Sequence, residues 1–304
     1  EMMAVESKNL GKASRMSDAQ GRYIEFCKSS FTNLDLSGLS ILLDCANGAT
    51  YSVAPKVFSE LGAKVHSIGA SPDGININQN CGSTSPDALK EEIAKGNFDI
   101  GIAFDGDGDR ILIIAADGTV LDGDDILFIL SKQISDNSGI VGTLMTNKSL
   151  ELHFQENKID FVRTDVGDKY VLQKLTEKAW HLGGEPSGHV ICLDAAQTGD
   201  AIIAALKVLD AIKEESFSLS KALEEFEKFP QTLINLKVDN PNKIIVSDRF
   251  WQKVTDTELQ LGEEGRVLIR PSGTEPLIRI MVESKEQKIS DDLCNALADL
   301  AQTI

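Results

Sequence analysis

The sequence lacks most of the patterns that would place it outside a reducing compartment. Its five cysteines (Cys27, Cys45, Cys81, Cys192, Cys294) are odd in number, widely spaced and form no C-x-x-C pair. That argues against both a disulfide framework and a structural zinc site, and makes a reducing cytoplasm the expectation. Four scattered histidines suggest no His-based metal site. Long apolar runs are missing too: Ile111 to Ala116 is typical of the longest, well short of the roughly 18–20 residues of a membrane helix. No basic-then-apolar leader is visible, so the expectation is neither secretion nor membrane insertion. Positive charge is scarce. Lys and Arg number 30 against 47 Asp and Glu, a formal charge of −17, and such a surface repels nucleic acid unless one basic site overrides it locally. Low-complexity tracts, short-period repeats and heptad arrays are absent.

What is there fits a soluble globular chain. A hydrophobic fraction of 42% with 25% charged residues argues against disorder, and 304 residues lead us to expect two or three domains. Residues 1–30 read as a helical lead-in. Over 31–119, strand patterns at 39–44, 64–68 and 98–104 alternate with helical ones at 53–61 and 86–93, the latter entered through Ser85 as N-cap with Pro86 at the first helical position. The rhythm repeats over 120–229, with a glycine-rich turn at Gly183-Gly184 and a strongly apolar helix at 201–212. Residues 230–304 place strands near 233–238, 266–269 and 277–282 among helices. The expected fold class is α/β: two consecutive α/β domains with mixed sheets, followed by a C-terminal α+β domain.

Three loops carry chemistry. Asp105-Gly-Asp-Gly-Asp109-Arg110 leaves the end of an expected strand, where ligand sites of open α/β sheets lie. Three carboxylates at alternating positions repel one another unless a cation compensates them, and oxygen ligands select Mg²⁺, Ca²⁺ or Mn²⁺ over zinc. An acidic surface turn is the bland alternative. An EF-hand would need Gly at its sixth and Glu at its twelfth position, where this chain has Arg110 and Ala116. Asp105, Asp107 and Asp109 are therefore expected to hold Mg²⁺, with coordination positions left for water or a phosphate oxygen, and Arg110 is a second positive group for a phosphate in transfer. In Arg270-Pro-Ser-Gly-Thr-Glu-Pro276, small residues let backbone N–H groups and the Ser272 and Thr274 hydroxyls converge on an anion around Gly273. Arg270 offers a bidentate fork there and Arg279 adds charge. It lacks Walker spacing, and an ordinary turn is the alternative. In Gly183-Gly-Glu-Pro-Ser-Gly-His189, Glu185 and Ser187 can bond adjacent sugar hydroxyls and His189 can transfer a proton near neutrality. By itself this loop reads equally well as a solvated turn. His66, His153 and His181 read as structural or surface residues.

Taken in order, these loops resemble those of the α-D-phosphohexomutase superfamily. Pro72-Asp-Gly-Ile-Asn-Ile-Asn-Gln-Asn-Cys-Gly-Ser-Thr84, Asp44-Cys-Ala-Asn-Gly-Ala-Thr50 and Val166-Gly-Asp-Lys-Tyr-Val171 look like its phosphoglucosamine mutase branch. The resemblance covers essentially the whole chain. It implies the second, third and fourth of four domains, with residues 1–30 the tail of a first domain that carries a reactive serine in a Ser-His-Asn-Pro type loop. No such loop occurs here. The implied reaction converts glucosamine 6-phosphate to glucosamine 1-phosphate through a phosphoserine and a 1,6-bisphosphate, feeding amino-sugar and, in bacteria, peptidoglycan precursor synthesis. In it Asp105, Asp107 and Asp109 hold Mg²⁺, Glu185 and Ser187 grip the sugar, and His189 is an acid/base or sugar contact. Arg270, Ser272, Gly273 and Thr274 hold the unreacting phosphate. Pro186 stiffens the sugar loop, and Asp165 departs from relatives and is given no substrate role. Phosphomannomutase or phosphoglucomutase action within the same superfamily stays open, as does a non-catalytic phosphosugar-binding module.

Overall fold

The computed structural model describes residues 11–134, 138–213, 216–238, 240–272 and 276–304. Helix α1 (Ala19–Ser29) is followed by β1 (Ser40–Asp44), α2 (Ala54–Glu60), β2 (Lys64–Ile68), α3 (Asp87–Ile93), β3 (Ile100–Phe104), β4 (Ile111–Ala115) and the short β5 (Val120–Leu121). These strands form one sheet in the order β2-β1-β3-β4-β5. The first three run parallel, and β4 and β5 add antiparallel. Parallel strands covered on both faces need continuous apolar runs, and Ile41, Leu42, Leu43, Ile100, Ile102 and Phe104 are all buried.

The middle of the chain supplies α4 (Gly123–Ser131), β6 (Gly139–Thr143), α5 (Lys148–Glu156), β7 (Asp160–Thr164), α6 (Asp168–Lys178), β8 (Leu182–Gly184), β9 (Val190–Cys192), α7 (Ala201–Ile212) and α8 (Leu219–Ala222). Its sheet runs β7-β6-β8-β9, parallel except for β9. Every residue of α4 is buried, with Asp124 and Asp125 of its first turn as well as the apolar run from Ile126 to Leu130 enclosed by protein. With α7 it packs into a single core that joins the first two sheets and also takes in Ile24 and Cys27 of α1.

The last unit contains β10 (Gln231–Lys237), α9 (Pro241–Ile245), α10 (Asp248–Leu261), β11 (Gly265–Pro271), β12 (Leu277–Ser284) and α11 (Gln287–Gln302). Its antiparallel sheet has the order β10-β12-β11. One face, with Leu236, Ile278, Ile280 and Val282, packs on Phe250, Val254, Leu293 and Leu297 of α10 and α11 as a separate core. Two mixed α/β sheets and a C-terminal α+β unit are thus the architecture. Among the described residues no helix is long and apolar enough to cross a membrane.

Two local expectations change. Gly183 and Gly184 are not a turn but the end of β8. A Cβ on Gly183 would lie 2.8 Å from the Val141 carbonyl oxygen and 2.9 Å from Val171 Cγ1, so close strand and helix packing demands glycine there. Helix α3 begins at Asp87, with Pro86 rather than Ser85 at the cap: the Pro86 carbonyl accepts from Lys90 N, while Ser85 N is used in a turn to Gly82.

Candidate active site

The acidic loop leaves the C-terminal end of β3 and returns into β4. It is folded around one carboxylate: Asp105 Oδ1 accepts from the backbone N–H groups of Gly108, Asp109 and Arg110, each at 3.1 Å. This nest turns the loop back on itself, so that carboxylate oxygens of Asp105, Asp107 and Asp109 come within 4.8 Å of one another. It is the only such group of three acid, histidine or cysteine ligands among the described residues. Burial, and then the neighbouring Asp109, raises the Asp105 carboxyl above the usual carboxylate range. Arg110 relieves this weakly, its Nε standing 3.7 Å from Asp105 and 3.9 Å from Asp109. Asp109 Oδ1 is buried without a hydrogen-bond partner. Clustered, under-compensated carboxylates with an orphaned oxygen fit a hard divalent cation.

The loop is braced by motifs that the sequence showed only as separate strings. Ala49 N donates to the Gly106 carbonyl at 2.8 Å, Ser83 N to Phe104, and Asn78 N to Ala46. Buried Asp44 ties the two bracing loops together, with Oδ1 accepting from Ala46 N and Oδ2 from Gly82 N. A Cβ on Gly48 would lie 2.2 Å from the Gly106 carbonyl oxygen, which explains why this contact requires glycine.

The 185–189 loop closes the hairpin between β8 and β9. Gly188 N donates to the Glu185 carbonyl, a four-residue turn with Pro186 in the second place, which its fixed φ suits. The loop is wedged between the first two sheets: Ile111 N donates to Gly188 O, Gly123 N donates to Pro186 O, and Arg110 and His189 form a bridge pair. His189 is only 5% exposed, and its Nδ1 stands 3.1 Å from Asp109 Oδ2. The acidic loop and this loop are therefore one structure. Glu185 Oε2 accepts from Ser187 Oγ at 3.3 Å and Oε1 from Gly167 N at 2.8 Å. The turn before α6 thereby enters the site. Its signal, a glycine between two acidic residues ahead of a helix, was visible but chemically mute. Gly167 has φ 134°, a conformation that favours glycine.

On the C-terminal sheet Arg270 and Arg279 are direct cross-strand partners. Like charges placed opposite each other destabilise a sheet. Neither arginine has a carboxylate within ion-pair distance among the described residues, in a chain of charge −17. Such an arrangement suits an anion. Ser272 adjoins it; Gly273 and Thr274 lie outside the described residues. No hydrogen bond or ion pair links either arginine to the acidic or the 185–189 loop among the described residues. His66 and His181 are exposed, and His153 packs against Phe128 with ring centroids 4.8 Å apart.

Residues 21–118, 122–229 and 233–300 match domain II, domain III and the C-terminal domain of the phosphoglucomutase/phosphomannomutase family. Within that class, the chain is 49% identical over 308 residues to a phosphoglucosamine mutase of Aeromonas salmonicida, covering 100% of the chain and 69% of that protein. It is 50% identical over 291 residues to one of Pseudomonas aeruginosa, covering 94% of the chain and 65% of that protein. The chain belongs to the phosphoglucosamine mutase family, a family of isomerases. Solved structures share the fold. A phosphoglucomutase/phosphomannomutase family protein of Burkholderia thailandensis has a TM-score of 0.78 at 24% identity, over 93% of this chain and 65% of that one. An Aspergillus fumigatus N-acetylphosphoglucosamine mutase, in complex with GlcNAc-6P and magnesium, has a TM-score of 0.74 at 20% identity, over 92% of this chain and 65% of that one.

Proposed function

We propose that this chain provides the metal, sugar and phosphate sites of an enzyme that interconverts glucosamine 6-phosphate and glucosamine 1-phosphate. The observation that carries the reading is the union of the acidic and 185–189 loops through His189 and Asp109. A cation held by the first would thereby stand beside a sugar held by the second. Asp105, Asp107 and Asp109 would hold Mg²⁺, which when bound neutralises charge on a transferring phosphoryl group. Glu185 and Ser187 bind hydroxyls common to both sugar orientations, and Gly167 N fixes the Glu185 carboxylate for that task. His189 acts through Asp109, whose carboxylate it orients. Exposed Arg110 is free to meet phosphate charge. Arg270 and Arg279, with Ser272, Gly273 and Thr274, hold the phosphate that is not reacting.

The proposed transfer moves phosphate from a phosphoserine to a sugar hydroxyl and back through a 1,6-bisphosphate. No Ser-His-Asn-Pro type loop lies within these 304 residues, so the chain alone is expected to bind substrate and Mg²⁺ without turnover. Five unpaired, buried cysteines support a reducing, cytoplasmic setting for the reading.

Calorimetric titration with glucosamine, glucose and mannose 6-phosphates in the presence of Mg²⁺ tests the substrate. Glucosamine 6-phosphate should bind tightest, and equal or tighter binding of mannose 6-phosphate overturns the choice of sugar. Arg270→Ala should weaken phosphosugar binding about tenfold or more, the worth of a charge-assisted bidentate contact, and leave Mg²⁺ affinity unchanged. Unaltered phosphosugar binding in that variant removes Arg270 from the site.

A further inference from the structure

The C-terminal sheet has a second face, turned away from α10 and α11. Residues two apart along a strand share a face, which places Arg266, Leu268 and Arg270 of β11 opposite Glu283, Met281 and Arg279 of β12. The two ends of this face differ. At the far end stand Arg270 and Arg279. At the near end Arg266 pairs with Glu283, which is fully buried. Arg266 also reaches into the middle domain, where Nη1 donates to the Leu144 carbonyl and Nη2 to the Thr146 carbonyl, each at 2.7 Å. Glu283 further accepts from Gln231 and, at 3.4 Å, from the backbone N–H of Lys148 at the start of α5.

The same middle-domain loop is gripped from its own side. Arg163 donates to the Thr143 and Thr146 carbonyls at 2.9 and 2.6 Å, and Asn147 exchanges two hydrogen bonds with Phe229, just ahead of β10. Between the two ends of the face lies a small cavity of about 30 Å³, lined by Met145, Leu233, Leu268 and Met281 besides the two arginines. Methionine-rich contacts are adaptable and set no direction. The directional contacts lie at the Arg266 end.

We propose that Arg266 and Glu283 are a positioning latch that sets where the Arg270–Arg279 pair stands relative to the acidic and sugar loops. The proposal rests on the functional reading above, in which one phosphosugar touches both halves. Two half-sites on separate domains act as one site only when held at a matched spacing, and loosening the link lowers the effective concentration of one for the other. Arg266 touches no reacting group. It acts through the strand that it shares with Arg270. Charge-assisted hydrogen bonds are strong and directional, and pulling Arg266 away from Glu283 would strand a buried charge, so the contact favours the spacing at which both are satisfied.

Titration of the whole chain with glucosamine 6-phosphate and with inorganic phosphate, both without added metal, tests the latch. Arg266→Met should weaken phosphosugar binding about tenfold, while inorganic phosphate, which needs only the arginine pair, changes by less than about twofold. Should the single variant fail to fold because Glu283 is stranded, Arg266→Met combined with Glu283→Leu removes the buried charge and should give the same split. Equal loss of both ligands, or loss of neither, overturns the latch. Spin labels at Glu156→Cys on α5 and Lys288→Cys on α11 provide a readout without ligand. Their distance distribution should be narrow in the native chain and broadened or shifted once Arg266 is replaced, and an unchanged distribution also overturns the latch. If the native chain binds no glucosamine 6-phosphate, the functional reading falls, and the label distances alone decide the latch.

Discussion

Two acidic clusters lie near each other in the sequence and behave in opposite ways. Asp122, Asp124 and Asp125 open α4, and the folded chain closes their charge internally. Asp122 caps the helix by accepting from Asp124 N, and Asp125 Oδ2 accepts from Asp122 N in return. Lys228 bridges Asp122 and Asp125 at 2.8 and 2.6 Å. Asp124 is almost wholly buried; desolvation, then repulsion from Asp122, pushes its carboxyl up to about 8, so near neutral pH it keeps its proton. Asp105, Asp107 and Asp109 have no lysine or arginine closer than Arg110 at 3.7 Å among the described residues, and their other basic neighbour is His189. Each cluster keeps one buried oxygen without a hydrogen-bond partner, Asp109 Oδ1 here and Asp124 Oδ1 there, where the retained proton removes the charge. An acidic string is structural where the fold supplies a counter-charge or a proton. It is a candidate site where the fold leaves that deficit to be met from outside.

The sharpest way to break this comparison is to neutralise one carboxylate in each cluster. Asp105→Asn should lower Mg²⁺ affinity by about two orders of magnitude, since it removes both a ligand and the anchor of the loop, whereas Asp125→Asn should leave it within about twofold. Mg²⁺ should raise the melting temperature of the native chain and not that of Asp105→Asn. Comparable losses of Mg²⁺ affinity in the two variants erase the distinction. A smaller effect comes from the counter-charge. Lys228→Met strands two aspartates and should cost about 2 kcal/mol in urea unfolding, below the value for a fully buried pair because the lysine is partly exposed. Mg²⁺ affinity should not move, and a fall there would tie the α4 cluster to the metal site.

The mildest test uses pH. Because the folded protein holds the Asp124 proton more tightly than the unfolded chain does, its contribution to stability is complete below about 4. That contribution is lost as pH rises through about 8. Asp124→Asn should flatten the fall in melting temperature across that interval and melt above the native chain at its alkaline end. An unchanged slope would assign the pH dependence to other groups.

Most of the architecture was legible because it rests on local periodicity. The buried runs of β1 and β3, the strongly apolar α7 and the amphipathic α10 and α11 declare themselves by pattern. The exceptions have tertiary causes. Gly183 resembles part of a turn until Val141 and Val171 are seen pressed against it, and Pro86 holds the cap place, its carbonyl receiving Lys90 N. In the site, the three aspartates could be read from alternation alone. Gly167 could not be assigned, because its partner Glu185 comes from a loop 18 residues further along the chain.

Residue spacing therefore determined which groups are candidates for which ligand: three carboxylates in one turn for a cation, an arginine in a loop of small residues for an anion, a carboxylate and a hydroxyl for a sugar. These are short-range facts, since neighbours within five residues meet in almost any fold. Only the tertiary structure decided that His189 meets Asp109, that Asp44, Gly48 and Asn78 brace the acidic loop, and that Arg270 faces Arg279 with no carboxylate at ion-pair distance among the described residues. The physical reason is that each of these contacts depends on strand register and crossover connections, which bring together residues from separate elements.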